Sequence, residues 1–305
     1  MSTPTSPTPA QQPTTTLPVA AADRRLTIGL ALGGGAARGL AHVLMLEALD
    51  EMGLTPVAIA GTSMGSIVGA SYAAGLSSAQ IRAHFEQLFD SRSALFKRLQ
   101  ERWPGSLFKL WNPLTPALID GETLFQIMLP DAVPQTFEEL KIPLVIVATD
   151  FYSQDEVVLR RGRLIPAVAA SSALPSLITP VEIDGRVLID GGFVNPTPFD
   201  LLRAEAAITI GVDVTGAPQP RTEGKGGGKL PGSLETWVGA MQITFRSIVR
   251  EKLRNNAPDI MIRPNVGGFG ALDFYKFREI FAASEPAKDE LKRALETVLK
   301  AQGKR

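Results

Sequence analysis

A serine set between two glycines, Gly61-Thr62-Ser63-Met64-Gly65, is the stretch of this chain best suited to chemistry. Small residues two places either side of a serine let a strand turn sharply into a helix. The hydroxyl is then held in a strained conformation, ready to attack an acyl carbonyl. The flanks suit this use. Val57-Ala58-Ile59-Ala60 is an apolar run of strand type, and Ile67 to Ala74 continues as a buried helix ending at Gly75. The same pentapeptide also describes a glycine-rich turn whose serine only caps a helix, so alone it leaves both uses open.

A second candidate lies upstream. The apolar run Leu26 to Leu32 leads directly into Gly33-Gly34-Gly35-Ala36-Ala37-Arg38-Gly39, and Leu40, Val43, Leu44, Leu46 and Leu49 then recur at helical spacing until Gly53. A strand, a glycine turn and a helix start gather unshared N–H groups and the positive end of a helix dipole, which makes an anion site. A dinucleotide pyrophosphate asks for Gly-x-Gly-x-x-Gly, and each reading frame here misses one glycine. The oxyanion of an acyl-transfer intermediate asks only for about two donors near the serine. The loop Gly33 to Gly39 with Met64 N–H fits that better. A turn with no ligand is the remaining use.

A serine nucleophile needs a base. The chain has two histidines, His42 and His84, both in helical stretches, and the Ser, acid, His order of α/β-hydrolases is not available to either in an ordinary spacing. Both read as structural. Downstream, the small-residue helix Ile165 to Pro175 precedes Val181-Glu182-Ile183-Asp184-Gly185-Arg186-Val187-Leu188-Ile189, where Asp184-Gly185 marks a hairpin. That hairpin delivers Asp190 beside Gly191 and Gly192. Taken by itself, an aspartate there reads as a turn former.

Composition narrows the classes further. Lys and Arg number 31 and Asp and Glu 31, so no global field draws nucleic acid. Cysteine is absent, which removes thiolate nucleophiles and thiolate metal sites, and two histidines make an ordinary zinc site improbable. No run reaches the ~20 apolar residues of a spanning helix, and no secretion signal is visible. The expectation is a cytoplasmic protein, with peripheral membrane contact as an option.

Taken together, these segments resemble the patatin-like phospholipase family, in its bacterial members related to the neuropathy target esterase branch. The resemblance covers roughly Leu26 to Leu202 and rests on four features in the family's order: the glycine loop with Arg38, the Ser63 pentapeptide, Ala170-Ser171-Ser172-Ala173-Leu174-Pro175, and Asp190-Gly191-Gly192. It implies a three-layer α/β/α fold with a mainly parallel sheet. It also implies Ser63 as nucleophile with Asp190 as its direct base, an oxyanion hole on the Gly33 to Gly39 loop, no cofactor and no metal. The scarcity of histidine agrees with such a dyad. Ala36 departs from the family, which usually has glycine there; a negative φ would leave its N–H in place.

The implied reaction is hydrolysis of a lipid or fatty-acyl ester through an acyl-serine. A non-enzymatic nucleotide or anion binder, an acyltransferase, and a regulatory protein with residual esterase activity remain as alternatives. Around the core, residues 1–22 read as a disordered Pro/Thr-rich tail and 23–305 as one catalytic domain whose part from about 233 is helical. The aromatic and basic segment 92–111 would suit a cleft cover or a lipid surface. The 224–229 glycine/lysine loop reads as a linker. The helix after it, with Leu234, Trp237, Val238, Met241, Phe245, Ile248, Val249 and Leu253 on one broad face, would suit a core, an acyl-chain cover or a homodimer contact. The last helix reads as capped near Ser284-Glu285-Pro286.

Overall fold

The computed structural model describes residues 27–90, 120–216 and 232–302. The 1–22 tail, the 92–111 segment and the 224–229 loop lie outside them. Eight strands, β1 (Ile28–Leu32), β2 (Ala58–Thr62), β3 (Leu144–Asp150), β4 (Glu156–Leu159), β5 (Val181–Ile183), β6 (Arg186–Asp190), β7 (Ile208–Val212) and β8 (Ile260–Ile262), form one mixed sheet. Its order is β5-β6-β3-β2-β1-β7-β8, with β4 also on β3. Strands β3, β2, β1, β7 and β8 run parallel to one another, whereas β4 and β6 are antiparallel to β3 and β5 to β6. All residues of β1, β2, β3 and β7 are buried, which is why these strands read as continuous apolar runs rather than alternating ones.

The α-helices are α1 (His42–Glu51), α2 (Met64–Ala73), α3 (Ser78–Phe89), α4 (Gly121–Met128), α5 (Leu164–Ser171), α6 (Ser233–Asn256) and α7 (Phe277–Gln302). The two sheet faces are unequal. Ile28, Leu30 and Leu32 of β1 point into the large core with side chains of α1, α2, α3, α5 and α7. Ala31 points the other way, with Ala58, Ala60 and Val145, onto Phe199 and Leu202 of a short 3-10 turn and Leu253 of α6. Small side chains on that second face let a thin layer close it.

Strand β3 does the positioning. Val147 pairs with both Thr62 and Val158, and Ala148 with both Asp190 and Val157. A strand has two edges, so β4 takes one and β2 and β6 follow each other along the other. Thr62 and Asp190 therefore sit opposite consecutive β3 residues. The hairpin that brings Asp190 there turns through Asp184 at φ 52 and Gly185 at φ 74, the paired positive φ of a two-residue turn.

The last helix differs from expectation. Helix α7 begins at Phe277 and runs through Pro286 rather than starting there. A proline inside a helix removes one hydrogen bond and costs about 3 kcal/mol. Burial of Phe277, Ile280 and Phe281 before it and Ala287, Leu291 and Leu295 after it offsets that cost. Ser284 Oγ donates to the Ile280 carbonyl at 2.7 Å, next to the interrupted turn.

Candidate active site

Ser63 stands between β2 and α2 at φ 52 and ψ −123, a conformation an L-residue adopts only under constraint. Several constraints are visible. A Cβ on Gly65 would overlap the Leu32 carbonyl, and one on Gly61 would lie 2.6 Å from the Gly65 carbonyl oxygen, so the turn admits only glycine at both places. Ser63 N–H donates to Ser171 Oγ at 2.9 Å, and the Ser63 carbonyl accepts from Ser66 N–H at 2.8 Å and Ser66 Oγ at 2.7 Å. The hydroxyl sits at the N-terminus of α2, where helix N–H groups favour negative charge.

Asp190 closes β6 and is fully buried. Its Oδ1 accepts from Gly192 N–H at 2.7 Å, while Oδ2 has no hydrogen-bond partner. Burial pushes its carboxyl up to about 7, against the opposing pull of the Gly192 N–H and the nearby Ser63 hydroxyl. Ser63 and Asp190 line the same cavity, and Asp190 Oδ2 forms no hydrogen bond there. Thr149 Oγ donates to the Asp190 carbonyl at 2.8 Å and Asp190 N–H donates to the Ala173 carbonyl at 3.1 Å. The end of α5 therefore ties both residues: Ser171 to Ser63, and Ala173 to Asp190. The Ser171 contact carries no signal at helical or strand spacing, and only the Ala170 to Pro175 run marks its neighbourhood.

The glycine loop needs three corrections. Gly33 N–H donates to the Val212 carbonyl at 3.0 Å and Gly34 N–H to the Pro196 carbonyl at 2.8 Å, so neither is free for an oxyanion. Arg38 N–H is likewise engaged, by the Gly35 carbonyl at 3.1 Å. Gly39 lies inside the 3-10 segment Ala36–Ala41, and at its start and at the serine turn stand Gly35, Ala36 and Met64, for whose N–H groups no hydrogen bond is seen among the described residues. Second, Ala36 sits at φ 48, not at a negative angle, because the chain must turn there into the 3-10 segment Ala36–Ala41. Third, the Arg38 guanidinium is a strut. Its Nε donates to the Phe269 carbonyl and a terminal nitrogen to the Thr215 carbonyl, each at 2.7 Å, and burial lowers its pKa despite Asp273. Gly39 makes room for Met64, since a Cβ there would lie 2.5 Å from Met64 Cγ.

Both histidines are structural. His42 is fully buried, its Nε2 lies 2.7 Å from the Gly33 carbonyl, and burial pushes its pKa down to about 4. It braces the glycine loop from behind. His84 Nε2 lies 2.9 Å from the Met128 carbonyl and does not line the cavity that Ser63 and Asp190 share.

Ser63, Asp190, Gly34, Gly35, Ala36 and Arg38 line one cavity of about 30 Å³. Its other walls are mostly apolar, with Leu174 and Leu177 after α5, Val238, Met241 and Phe245 of α6, and Ala271 and Leu272 of the loop after β8, joined by Thr215 and Gln242. Phe245 also explains Gly192, where a Cβ would overlap its ring. Such a site offers a hydroxyl, a carboxyl with raised pKa, loop N–H donors and an apolar surround. Among the described residues no His/Asp/Glu group could hold a metal ion.

Residues 30–203 match the family model described as patatin-like phospholipase. An uncharacterized NTE family protein of Mycobacterium tuberculosis is 36% identical over 193 residues, covering 62% of this chain and 49% of that protein. Lysophospholipase NTE1 of Candida glabrata is 28% identical over 275 residues, covering 83% of this chain and 15% of that protein. This chain thus spans about half the length of the mycobacterial relative. Among solved structures, full-length ExoU of Pseudomonas aeruginosa with SpcU aligns over 90% of this chain and 53% of that one, at 16% identity and a TM-score of 0.45.

Proposed function

This chain belongs to the patatin-like phospholipase family, and on that premise we propose that it hydrolyses carboxylic esters of lipids with Ser63 as nucleophile and Asp190 as base. The observation that carries the reading is the meeting, at one apolar cavity, of a strained serine and a buried carboxylate with an unpartnered oxygen. In the acylation step Asp190 Oδ2 takes the Ser63 proton as Oγ bonds to the carbonyl carbon. The tetrahedral oxyanion is held by the N–H groups of Gly35 and Ala36, with Met64 N–H beside them. Collapse breaks the ester bond, and the departing alcohol oxygen takes the proton back from Asp190. Water then attacks the acyl-serine with Asp190 again as base, releasing the fatty acid and restoring the serine.

A carboxylate is a weak base in water, and burial is what makes this one stronger: a carboxyl pushed up to about 7 holds a proton far better than an exposed one. Specificity for an acyl group follows from the apolar walls. The cavity has room for water and not for a fatty chain, so substrate entry requires α6 or the Ala271-Leu272 loop to shift. Binding of a nucleotide by the glycine loop is disfavoured, because Gly33 and Gly34 already give their N–H groups to main-chain carbonyls. Reaction with a fluorophosphonate probe, followed by mapping of the modified residue, tests the reading. Labelling confined to Ser63 and lost in Ser63→Ala is expected; an unlabelled protein, or a label elsewhere, overturns it.

A further inference from the structure

The turn Asn195-Pro196 reaches three segments that the proposed reaction needs at once. Asn195 N–H donates to the Gly191 carbonyl at 2.9 Å, next to Asp190, and the Asn195 carbonyl accepts from Thr62 Oγ1 at 2.8 Å, next to Ser63. The Pro196 carbonyl accepts from Gly34 N–H at 2.8 Å, next to the loop donor Gly35. Base, nucleophile and donor loop are thus each bonded to one turn, a single residue away from the group that would react. Strand pairing gives no such link, because β2 and β6 bond to β3 and not to each other.

What holds the turn is the Asn195 side chain. Asn195 is fully buried, and its Nδ2 donates to Glu156 Oε1 of β4 at 2.7 Å and to Asp200 Oδ1 at 3.1 Å. Asp200 Oδ1 also accepts from Lys252 Nζ at 2.7 Å, and that ammonium lies 5.9 Å from the centre of the Phe199 ring. Lys252 stands about two turns beyond Phe245 on the same face of α6. Two carboxylates converging on one amide admit only its nitrogen, and bonds to ionised acceptors are about twice as strong as neutral ones. Asn195 Oδ1, by contrast, has no partner among the described residues. An idle buried oxygen destabilises a fold, so filling space does not account for an amide here, whereas holding two carboxylates does.

We propose that Asn195 is a positioning residue for the reaction: anchored by Glu156 and by the ion pair of Asp200 with Lys252, its turn fixes Ser63, Asp190 and the donor loop relative to one another. The proposal deepens the ester hydrolase reading above and rests on it. A misplacement of about 1 Å at a reacting centre costs on the order of 100-fold in rate, so a residue that touches neither substrate nor the moving proton governs kcat. Through Lys252 the same anchor also fastens the far half of α6, whose near half walls the cavity.

The test uses the full chain, with p-nitrophenyl butyrate as substrate and amide hydrogen exchange as a second readout. Asn195→Ser, which keeps the peptide groups and loses the Nδ2 donors, is expected to lower kcat about 30-fold with KM within about twofold of the parent. Lys252→Met should lower kcat about fivefold, and Lys252→Arg, which keeps the charge, should recover most of that. Both residues act through one path, so the double variant is expected within about twofold of Asn195→Ser alone, where independent effects would multiply to about 150-fold. Exchange should quicken several-fold in peptides 58–66 and 188–196 and keep the parent's rate in α7. An unchanged kcat, a multiplicative double variant, or exchange that quickens equally in α7 overturns the proposal. If Asn195→Ser does not fold, Lys252→Met and its recovery in Lys252→Arg decide alone. If the parent hydrolyses no ester, exchange decides: quickening confined to the two segments leaves the hold of Asn195 standing while the hydrolase reading falls, and its absence ends both.

Discussion

The Ser63 turn and helix α6 face each other across one cavity and are held in place by different forces. The turn is over-determined: its N–H and carbonyl are both bonded at 2.7 to 2.9 Å, and glycines at 61 and 65 exclude any relaxed neighbour. Helix α6 leans on the site through Val238, Met241 and Phe245, contacts without direction, beside Gln242, and among the described residues it is tied nearby by Arg246 to the Gly216 carbonyl at 3.0 Å. Directional bonds fix an angle, whereas apolar contacts slide. On the proposed function, the floor would keep a reacting geometry and the cover would yield to an acyl chain.

The largest effects should come from the floor. Ser63→Ala and Asp190→Asn are each expected to lower kcat about 10⁴-fold on a short soluble ester, read against an unaltered circular dichroism spectrum. In the parent, kcat/KM should fall about tenfold per unit as pH drops below about 7, the value to which burial raises Asp190. Stability moves the opposite way. A carboxyl raised from 3.8 to about 7 gives stability that is complete below the unfolded value and is lost as pH rises through 7, because only the charged form resists burial. Asp190→Asn should therefore raise Tm most above pH 7 and little at pH 4. A variant both inactive and less stable at pH 8 would break the idea that this carboxylate is kept at a cost.

Next in size is Ser171→Ala, which removes the acceptor of Ser63 N–H. An orphaned buried donor costs about 1–3 kcal/mol, and because it belongs to the nucleophile the loss should appear as a kcat lower by roughly 10- to 100-fold with KM nearly unchanged. Ser171→Thr keeps a hydroxyl and should recover part of it. A smaller effect is expected from the cover. Met241→Ala should alter KM for long-chain esters by about threefold while leaving kcat on a short ester near the parent's, at a stability cost of about 2 kcal/mol. If it lowers short-ester kcat as far as Ser171→Ala does, floor and cover are not separate devices.

What the sequence makes legible follows the same division. Strands β1, β2 and β3 are buried on both faces, so their apolar runs announce them, and Asp184-Gly185 can hardly be other than a hairpin turn. Glycines 61 and 65 show their purpose because backbone passes through the space a side chain would fill. The proposed oxyanion donors are less legible. Whether Gly33 or Gly35 keeps a free N–H depends on carbonyls of Val212 and Pro196, far along the chain. Ser171 is hidden for a like reason, one short hydroxyl in a helix of small residues. At the C-terminus Ser284-Glu285-Pro286 gave a false start, since local punctuation yields when core residues flank it on both sides.

The smallest prediction concerns Ala36, the one loop position where a side chain stands in a left-handed conformation, φ 48. An L-residue there costs about 1–2 kcal/mol; glycine removes that cost but adds about 0.4–1 kcal/mol of unfolded-state entropy. The balance favours Ala36→Gly by about 0.5–1 kcal/mol, seen as a higher urea midpoint at unchanged slope. The methyl group is half-buried at the cavity wall, so it also narrows the torsions open to the N–H that would meet the oxyanion. Ala36→Gly should for that reason make the protein slightly more stable and the reaction slightly slower, by about two- to threefold in kcat. Gain in both would mean the alanine is only strain. Loss of both would mean its methyl packs well enough to outweigh the backbone, and that the floor, like the cover, is held partly by side-chain contact.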